Sequence, residues 1–222
     1  MGFNIAIDGP AGAGKSTIAR LLAKKLEFIY VDTGAMYRAI ALFFLNRGLD
    51  PADEEELKKA IPDVEITLSY QGGKQTVCLN GEDVSETIRE ERVGKTASKT
   101  SAYPFVREKL LSLQRDLAAA NDVIMDGRDI GTCILPNAQL KIFLTASVDT
   151  RAKRRYDELM QKGESCDYEQ IREDIMARDH ADMTREIAPL KQAEDAVLVD
   201  TSELNIEEVV SVLENLYKKA KA

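Results

Sequence analysis

The sequence predicts an α/β fold in which a five-stranded parallel sheet lies between two layers of helices and carries a small antiparallel β insert. Short apolar segments alternate with amphipathic segments along most of the 222 residues. This alternation is typical of a parallel sheet covered by helices on both faces. A glycine-rich turn joins the first strand to the first helix, and near Pro62 the pattern changes to the short alternating runs that predict the insert.

The composition is that of an ordinary single domain. Hydrophobic residues make up 44% of the chain, which is enough for one buried core. The apolar runs fall short of the ~20 residues needed to span a bilayer, and Asp8 and Gly9 interrupt the first of them, so we expect a cytoplasmic protein without a signal peptide or membrane contact. A net charge of −8 disfavours broad binding of nucleic acid. The three widely separated cysteines predict free thiols rather than zinc ligands.

Two strand–helix units are predicted at the start of the chain. Residues 3–7 are β-prone and alternate in hydrophobicity, which predicts a buried strand. Apolar residues at helical spacing predict an amphipathic helix over 15–26. A second strand is predicted at 28–31 and a second helix at 35–46, with Gly48 suited to end that helix.

The insert is predicted from its turn residues. Gln71-Gly-Gly-Lys74 predicts one turn, and Asn80-Gly81 is a strong signal for a tight hairpin. We interpret 62–92 as an antiparallel insert of two or three strands, and the alternative is an irregular surface excursion. The strands predicted within it are 64–70, 75–79 and 82–84.

The second half of the chain returns to alternating helices and strands. Helical pattern resumes at Ser85, and Pro104 is suited to the first turn of a long helix over 105–120. The remaining predicted strands are 123–125, 140–144 and 196–199, and the remaining predicted helices are 148–162, 168–179 and 206–220.

The segment from Gly9 to Ser16 matches the phosphate-loop pattern G-x-x-x-x-G-K-[ST] in full. Its glycines let backbone N–H groups point at phosphate oxygens, and the following helix adds the partial positive charge of its N-terminus. We expect Lys15 to contact the β- and γ-phosphates of ATP and the Ser16 hydroxyl to bind Mg²⁺. The position between a strand and a helix argues against a merely flexible glycine turn. The predicted ATP-binding residues are Gly9, Pro10, Ala11, Gly12, Ala13, Gly14, Lys15, Ser16 and Thr17.

Phosphate-loop (P-loop) proteins include GTPase switches, motor ATPases and small-molecule kinases. The base-recognition pattern N-K-x-D and the switch pattern D-x-x-G are both absent from the sequence. The strand-like run 123–126 ends in an acidic residue, as in motor ATPases, but Gly127-Arg128 follows where such proteins have adjacent acids. A kinase needs a second anion site opposite the P-loop, because two polyanions must be held in line.

The distribution of arginine favours a kinase. Arg38 and Arg128 follow predicted strands, and six arginines, five of them candidates for phosphate binding, lie between the last two strands. The planar guanidinium group suits phosphate because it donates to two oxygens at once. For any single arginine, the alternative is a solvated surface charge. The candidate phosphate-binding arginines are Arg38, Arg107, Arg128, Arg151, Arg154, Arg155, Arg178 and Arg185.

Four further motifs resemble those of the bacterial-type cytidylate kinases, which are P-loop nucleoside monophosphate kinases. They are Asp32-Thr-Gly-Ala-Met-Tyr-Arg38, Tyr103-Pro-Phe-Val-Arg107, Asp126-Gly-Arg-Asp-Ile-Gly-Thr132 and Arg178-Asp-x-x-Asp182-x-x-Arg185-x-x-Ala-Pro-Leu190. The resemblance extends over essentially the whole chain. It implies one domain, 1–222, with a nucleoside-monophosphate-binding β insert at 62–92 and a short helical lid at 150–186. It also implies transfer of phosphate from ATP to CMP or dCMP with Mg²⁺, in pyrimidine nucleotide metabolism, by a monomer.

The same resemblance implies a role for each motif residue. Thr33, Arg38 and Arg128 would hold the acceptor phosphate, Ser98, Arg107 and Asp129 would bind cytosine, and Arg178 and Asp182 would contact the sugar. Arg185 would reach the acceptor nucleotide and the transferred phosphoryl group, and Arg151, Arg154 and Arg155 would belong to the lid over ATP. The predicted catalytic residues are Lys15, Arg128, Arg154 and Arg185.

Asp129 is the expected determinant of base specificity. Its carboxylate accepts a hydrogen bond from the amine of cytosine but opposes the carbonyl oxygen of uracil. An ion pair with Arg128 or another arginine is the alternative role for this carboxylate.

The chain departs from the resemblance at a few positions. Thr33 stands where many relatives have serine, and Ala181 and Met183 stand in a stretch that is often richer in arginine. His180, the only histidine, is expected on the lid surface without a catalytic role.

Overall fold

The computed structural model describes residues 2–71 and 74–222. Within them, the strands are β1 (Asn4–Asp8), β2 (Ile29–Asp32), β3 (Ile66–Gln71), β4 (Lys74–Leu79), β5 (Glu82–Asp83), β6 (Val123–Gly127), β7 (Leu140–Thr145) and β8 (Val197–Asp200). The α-helices are α1 (Lys15–Leu26), α2 (Thr33–Asn46), α3 (Glu54–Ala60), α4 (Glu91–Thr100), α5 (Pro104–Ala120), α6 (Val148–Gln161), α7 (Tyr168–Thr184) and α8 (Ile206–Lys221).

The central sheet has the strand order β2-β6-β1-β7-β8, and every neighbouring pair is parallel. Side chains of β1 alternate between two cores, because Ala6 packs with α2 and α5 while Ile5 and Ile7 pack with α1 and α8. This alternation buries the strand on both sides, as expected for a parallel sheet between helix layers. The predicted three-layer fold with five parallel strands is confirmed.

The insert forms a second sheet with the antiparallel order β3-β4-β5. Asn80 and Gly81 connect β4 to β5 with φ values of 50° and 86°, the left-handed pair that a tight hairpin turn requires. Val77 and Leu79 are buried in the core that also contains α2, so the insert packs against the main domain. The turn predicted at 71–74 includes Gly72 and Gly73, which lie outside the described residues.

Three elements differ from the sequence-based expectation. Helix α3 was not predicted, because it buries little besides Leu57 and Ala60, too few apolar residues to show a period. Helix α7 continues to Thr184, five residues beyond the predicted end at 179, because charged side chains rather than apolar ones attach it to the core. After β6, residues Ile130–Ile134 form one turn of π-helix.

Two further features concern the helices and the cysteines of the described chain. None of its helices combines the length and the apolar character needed to cross a bilayer. The three cysteines, Cys78, Cys133 and Cys166, are partly buried free thiols.

Candidate active site

The P-loop lies at the carboxyl ends of the central strands, between β1 and α1. Gly9 directly follows β1 with a φ of 149°, and a Cβ at this position would lie 1.9 Å from the carbonyl oxygen of Leu144. Only glycine therefore allows the loop to pass this closely over β7. Ligands of parallel sheets bind at this edge, so the loop has the position expected of a phosphate site.

Lys15 begins α1 and is buried, with 6% of its surface exposed. Its Nζ donates a hydrogen bond to the carbonyl oxygen of Pro10 at 2.7 Å. Burial lowers the pKa of Lys15 well below its usual value, and the charge of Arg128 lowers it further, while Asp126 opposes both. An anion bound beside Lys15 would stabilise its charged form.

Asp126, near the end of β6, connects the P-loop to β2. Its carboxylate accepts hydrogen bonds from the Ser16 hydroxyl at 2.8 Å and from the Tyr30 hydroxyl at 2.9 Å. Its backbone carbonyl accepts a bond from Thr33 Oγ1 at 2.7 Å. Burial raises the pKa of Asp126 to about 6, and nearby Asp32 adds to the shift. The sequence analysis treated Asp126 as a motif residue without a role, although an acidic residue at a strand end is a usable signal.

Asp129 lies in a buried cluster of arginines. Its Oδ2 pairs with Nη2 of Arg107, and its Oδ1 lies 3.8 Å from Nη2 of Arg185. Arg107 also donates to the carbonyl oxygen of Ser101 at 3.3 Å, at the C-terminal end of α4, the helix that carries Ser98. Burial raises the pKa of Asp129 above its usual value, and the charges of these arginines offset only part of the rise. The ion pair considered for Asp129 therefore exists, but its partners are Arg107 and Arg185.

Helix α7 is attached to the core by two acidic residues on one face. Asp182 accepts a hydrogen bond from Nε of Arg128 at 2.8 Å, and Asp179 pairs with Nη2 of Arg151 at 2.6 Å. Arg151 is 4% exposed and also donates to the carbonyl oxygen of Ala11 in the P-loop at 3.0 Å. One buried guanidinium thus contacts both the P-loop and α7.

Arg38, Arg128 and Arg178 repel one another electrostatically. Burial lowers the pKa of Arg178 to about 10, and Arg128 contributes to this shift. Burial also lowers the pKa of Arg38; Asp32 opposes this, whereas Arg89, Arg128 and Arg155 add to it. Among the described residues, Arg178 Nε, Asp179 Oδ1 and Arg185 Nη2 are buried without a hydrogen-bond partner. The buried Arg178 Nε, a donor without a partner, and the mutually repelling cations indicate a site for an anionic ligand.

Comparisons with known proteins identify the family. The family model described as cytidylate kinase matches residues 5–219. The chain belongs to the cytidylate kinase family. It is 55% identical to the cytidylate kinase of Caldicellulosiruptor saccharolyticus over 217 residues, which cover 97% of this chain and 96% of the relative. It is 52% identical to the cytidylate kinase of Carboxydothermus hydrogenoformans, with 95% of each chain covered.

Solved structures show the same fold at low sequence identity. Shikimate kinase from Bacteroides thetaiotaomicron superposes with a TM-score of 0.51 at 14% identity, covering 97% of this chain and 98% of that one. A gluconokinase from Sinorhizobium meliloti gives a TM-score of 0.50 at 13% identity, covering 99% and 94%. Membership of the family confirms the predicted enzyme class, ATP-dependent phosphorylation of CMP to CDP.

Several predicted site residues have contacts that the sequence did not indicate. Arg154 donates to the hydroxyl and the carbonyl oxygen of Thr201 at 3.1 and 2.7 Å, just beyond β8, and Arg155 pairs with Glu158. Of the three arginines of helix α6, Arg151 is the one that contacts the P-loop. The carbonyl of Ser98 accepts a bond from Ser101, and His180 is exposed.

Arg89 is a cation of this region that the sequence analysis missed. It pairs with Asp32 at 3.1 Å from the turn that follows the insert sheet. In the sequence, the only indication of a role for Arg89 is its position after the predicted strand 82–84.

Proposed function

We propose that the chain transfers the γ-phosphoryl group of ATP to CMP and to dCMP, as a cytoplasmic monomer in pyrimidine nucleotide metabolism. The main support for the proposal is a set of cations beside the P-loop that repel one another. The charges of Arg128 and Arg178 lower the pKa of buried Lys15. Two polyanions held side by side would neutralise this charge. A kinase that joins a nucleoside triphosphate to a nucleoside monophosphate requires that arrangement.

Residues 9–17 would hold the phosphates of ATP through backbone N–H groups and Lys15. Among the described residues, there is no cluster of three or more His, Cys, Asp and Glu side chains that would bind a metal ion alone. Ser16 and Asp126 nevertheless provide oxygen atoms 2.8 Å apart, and Mg²⁺ commonly binds to one or two protein oxygens together with substrate phosphates. These residues fit Mg²⁺, which would neutralise charge on the β- and γ-phosphates.

The acceptor would bind on the opposite side. Thr33, Arg38 and Arg128 would contact its phosphate, and Arg178 and Asp182 would contact its sugar. For the base, Asp129 would accept a hydrogen bond from the cytosine amine while Arg107 donates to ring acceptors. The pairing of Asp129 with Arg107 supports this assignment, because it orients the buried carboxylate, and the charge of Arg107 opposes the rise in its pKa that burial causes.

Phosphoryl transfer would proceed in line, without a covalent enzyme intermediate. Lys15, Arg128 and Arg185 would stabilise the charge that spreads over the transferred group, and Arg154 would join them only if the lid moves it from Thr201. Closure of the lid at 150–186 and of the insert at 62–92 would exclude water, which otherwise accepts the phosphoryl group.

The test is ADP formation with CMP, dCMP, UMP, AMP and GMP as acceptors. We expect CMP and dCMP to give the highest kcat/KM, and UMP to be at least ~10-fold poorer because a buried carboxylate opposes uracil O4. Preference for another nucleotide or a metabolite would assign the chain to a different small-molecule kinase activity. Slow hydrolysis that is the same with and without acceptor would indicate a nucleotide switch.

A further inference from the structure

Asp8 is a buried carboxylate at the junction of β1 and the P-loop, with 5% of its surface exposed. The roles proposed above leave it without a function. Its Oδ1 accepts a hydrogen bond from the backbone N–H of Ile130 at 2.8 Å, and its Oδ2 accepts one from Gly131 at 2.7 Å. Both oxygens are therefore used to hold a segment more than a hundred residues away in the sequence.

The two N–H groups open the turn that directly follows Asp129. The first N–H groups of a helical turn have no partner within the turn and need an acceptor from elsewhere. Asp129 precedes the turn, and its carbonyl oxygen accepts bonds from Cys133 at 2.8 Å and Ile134 at 3.2 Å. Asp8 therefore fixes the backbone on which Arg128 and Asp129 are carried.

The contact between Asp8 and the turn is closely packed. A Cβ at Gly131 would lie 3.4 Å from Asp8 Oδ2 and 3.2 Å from Cδ of Lys141. A methyl group at position 131 would therefore lie in van der Waals contact with Asp8 and close to the Lys141 side chain, and a larger side chain would crowd both. Lys15 and Asp129 both act electrostatically on Asp8, Lys15 lowering its pKa and Asp129 raising it. Both groups are therefore close enough to Asp8 to act on its charge.

We propose that Asp8 is a positioning residue that holds the segment bearing Arg128 and Asp129 in register with the P-loop, a role that rests on the proposed function. Asp8 belongs to a central strand, so the two hydrogen bonds tie the acceptor side of the site to the rigid base of the ATP side. In-line transfer depends on this relation, because misplacement by about 1 Å reduces rates by up to ~100-fold.

The test is Asp8→Asn. Asparagine has the same shape, but its amide presents N–H to one of the two backbone donors, so the turn must shift. We expect kcat/KM for CMP to fall at least ~10-fold. The ratio of kcat/KM for CMP to kcat/KM for UMP (the CMP-to-UMP ratio) should fall with it. The affinity for ATP, measured by calorimetry without acceptor, should change less than ~3-fold.

The matched control is Asp122→Asn at the opposite end of β1, where Asp122 Oδ1 accepts the N–H of Phe3. We expect this variant to have no effect beyond a lower Tm, and the CMP-to-UMP ratio to stay unchanged. A purely structural role for Asp8 would give the same pattern as the control, and that result would overturn the proposal.

Gly131→Val is the second variant, for the case in which Asp8→Asn does not fold. It leaves Asp8 intact, but the branched side chain extends beyond a Cβ that already contacts Asp8 and Lys141, so the turn must move away from Asp8. We expect the ratio of kcat/KM for CMP to that for UMP to fall about 3-fold or more. An unchanged ratio in folded Gly131→Val would contradict the proposal. Failure of the wild-type protein to prefer CMP would instead contradict the proposed function, so the two failures are distinguishable.

Discussion

In the proposed site, the ATP side and the acceptor side are built in different ways. The ATP side is one contiguous segment, 9–17, whose shape depends on glycine backbone conformations and whose main charge is Lys15. The acceptor side is assembled from α2, α5, the segment after β6 and α7, and its arginines are held by carboxylates. A phosphate cradle can therefore be encoded locally, whereas specificity for the acceptor depends on side chains that meet only in the folded protein.

The two sides also differ in how much charge they bury and in the free energy that this burial costs. A backbone cradle directs N–H groups at the ligand with little need for buried charge. Buried ion pairs such as Arg107–Asp129 lose solvation that their attraction does not always offset, so their value is more often in orientation than in stability. Substitutions on the ATP side should therefore lower the rate by the same factor with every acceptor. Substitutions on the acceptor side should instead change the CMP-to-UMP ratio.

The largest effect is expected from Lys15→Ala on the ATP side. Loss of the cation at the transferred phosphate should reduce kcat by at least ~100-fold with every acceptor. The fold should persist, because burial already disfavours this charge. Coupled-assay kinetics and thermal unfolding measure both effects. Lys25→Ala, on the exposed side of the same helix and paired with Glu214, is the control. Near wild-type turnover in folded Lys15→Ala would remove Lys15 from the mechanism.

Asp129→Asn should give the next largest effect, confined to the acceptor side. Loss of a charged hydrogen bond to the cytosine amine costs on the order of 1.5–3 kcal/mol, so kcat/KM for CMP should fall at least ~10-fold while UMP holds or improves. Arg107 also loses its buried counterion, so Tm should fall.

Asp182→Asn is the comparison for Asp129→Asn, because it removes the neighbouring ion pair with Arg128 and should affect CMP and UMP alike. Equal losses for CMP and UMP in Asp129→Asn would mean that Asp129 positions the arginines, and base recognition would then have to be sought at Ser98 and Arg107.

Asp179→Asn should produce a smaller effect at the border between the two sides. It weakens the link from α7 through Arg151 to the carbonyl of Ala11, so KM for ATP should rise ~3- to 10-fold with an unchanged CMP-to-UMP ratio. Asp174→Asn, on the exposed side of α7, should leave both quantities unaltered. A change in the CMP-to-UMP ratio would show that this link serves the acceptor side instead.

The smallest effect concerns pH. Burial raises the pKa of Asp8 from 3.8 to about 6, so the folded protein binds more protons than the unfolded chain between those values. This group's contribution to the free energy of unfolding therefore falls as pH rises from about 4 to 6, on the order of 2 kcal/mol, and is constant above that range. Urea unfolding at pH 4.5 and 6.5 should show that Asp8→Asn destabilises less at the higher pH. A pH-independent difference would contradict the raised pKa.

The sequence analysis succeeded where neighbouring residues determine the structure. The P-loop, helix α1 over Lys15–Leu26 and the Asn80-Gly81 hairpin all follow from local backbone preferences. It was least complete where charge pairs replace hydrophobic periodicity, as in the extended end of α7. The roles carried over from the family resemblance for all of the site residues remain predictions.

By itself, the sequence determined the parallel α/β core, the phosphate cradle and the family, because glycine positions, apolar periods and contiguous motifs act over short distances. Only the tertiary structure decided which arginine meets which carboxylate. Arg107 rather than Arg128 pairs with Asp129, and Arg151 rather than Arg154 contacts the P-loop. The physical reason is that a guanidinium has no sequence-local preference among carboxylates, so its partner is set by the packing of the elements that carry them.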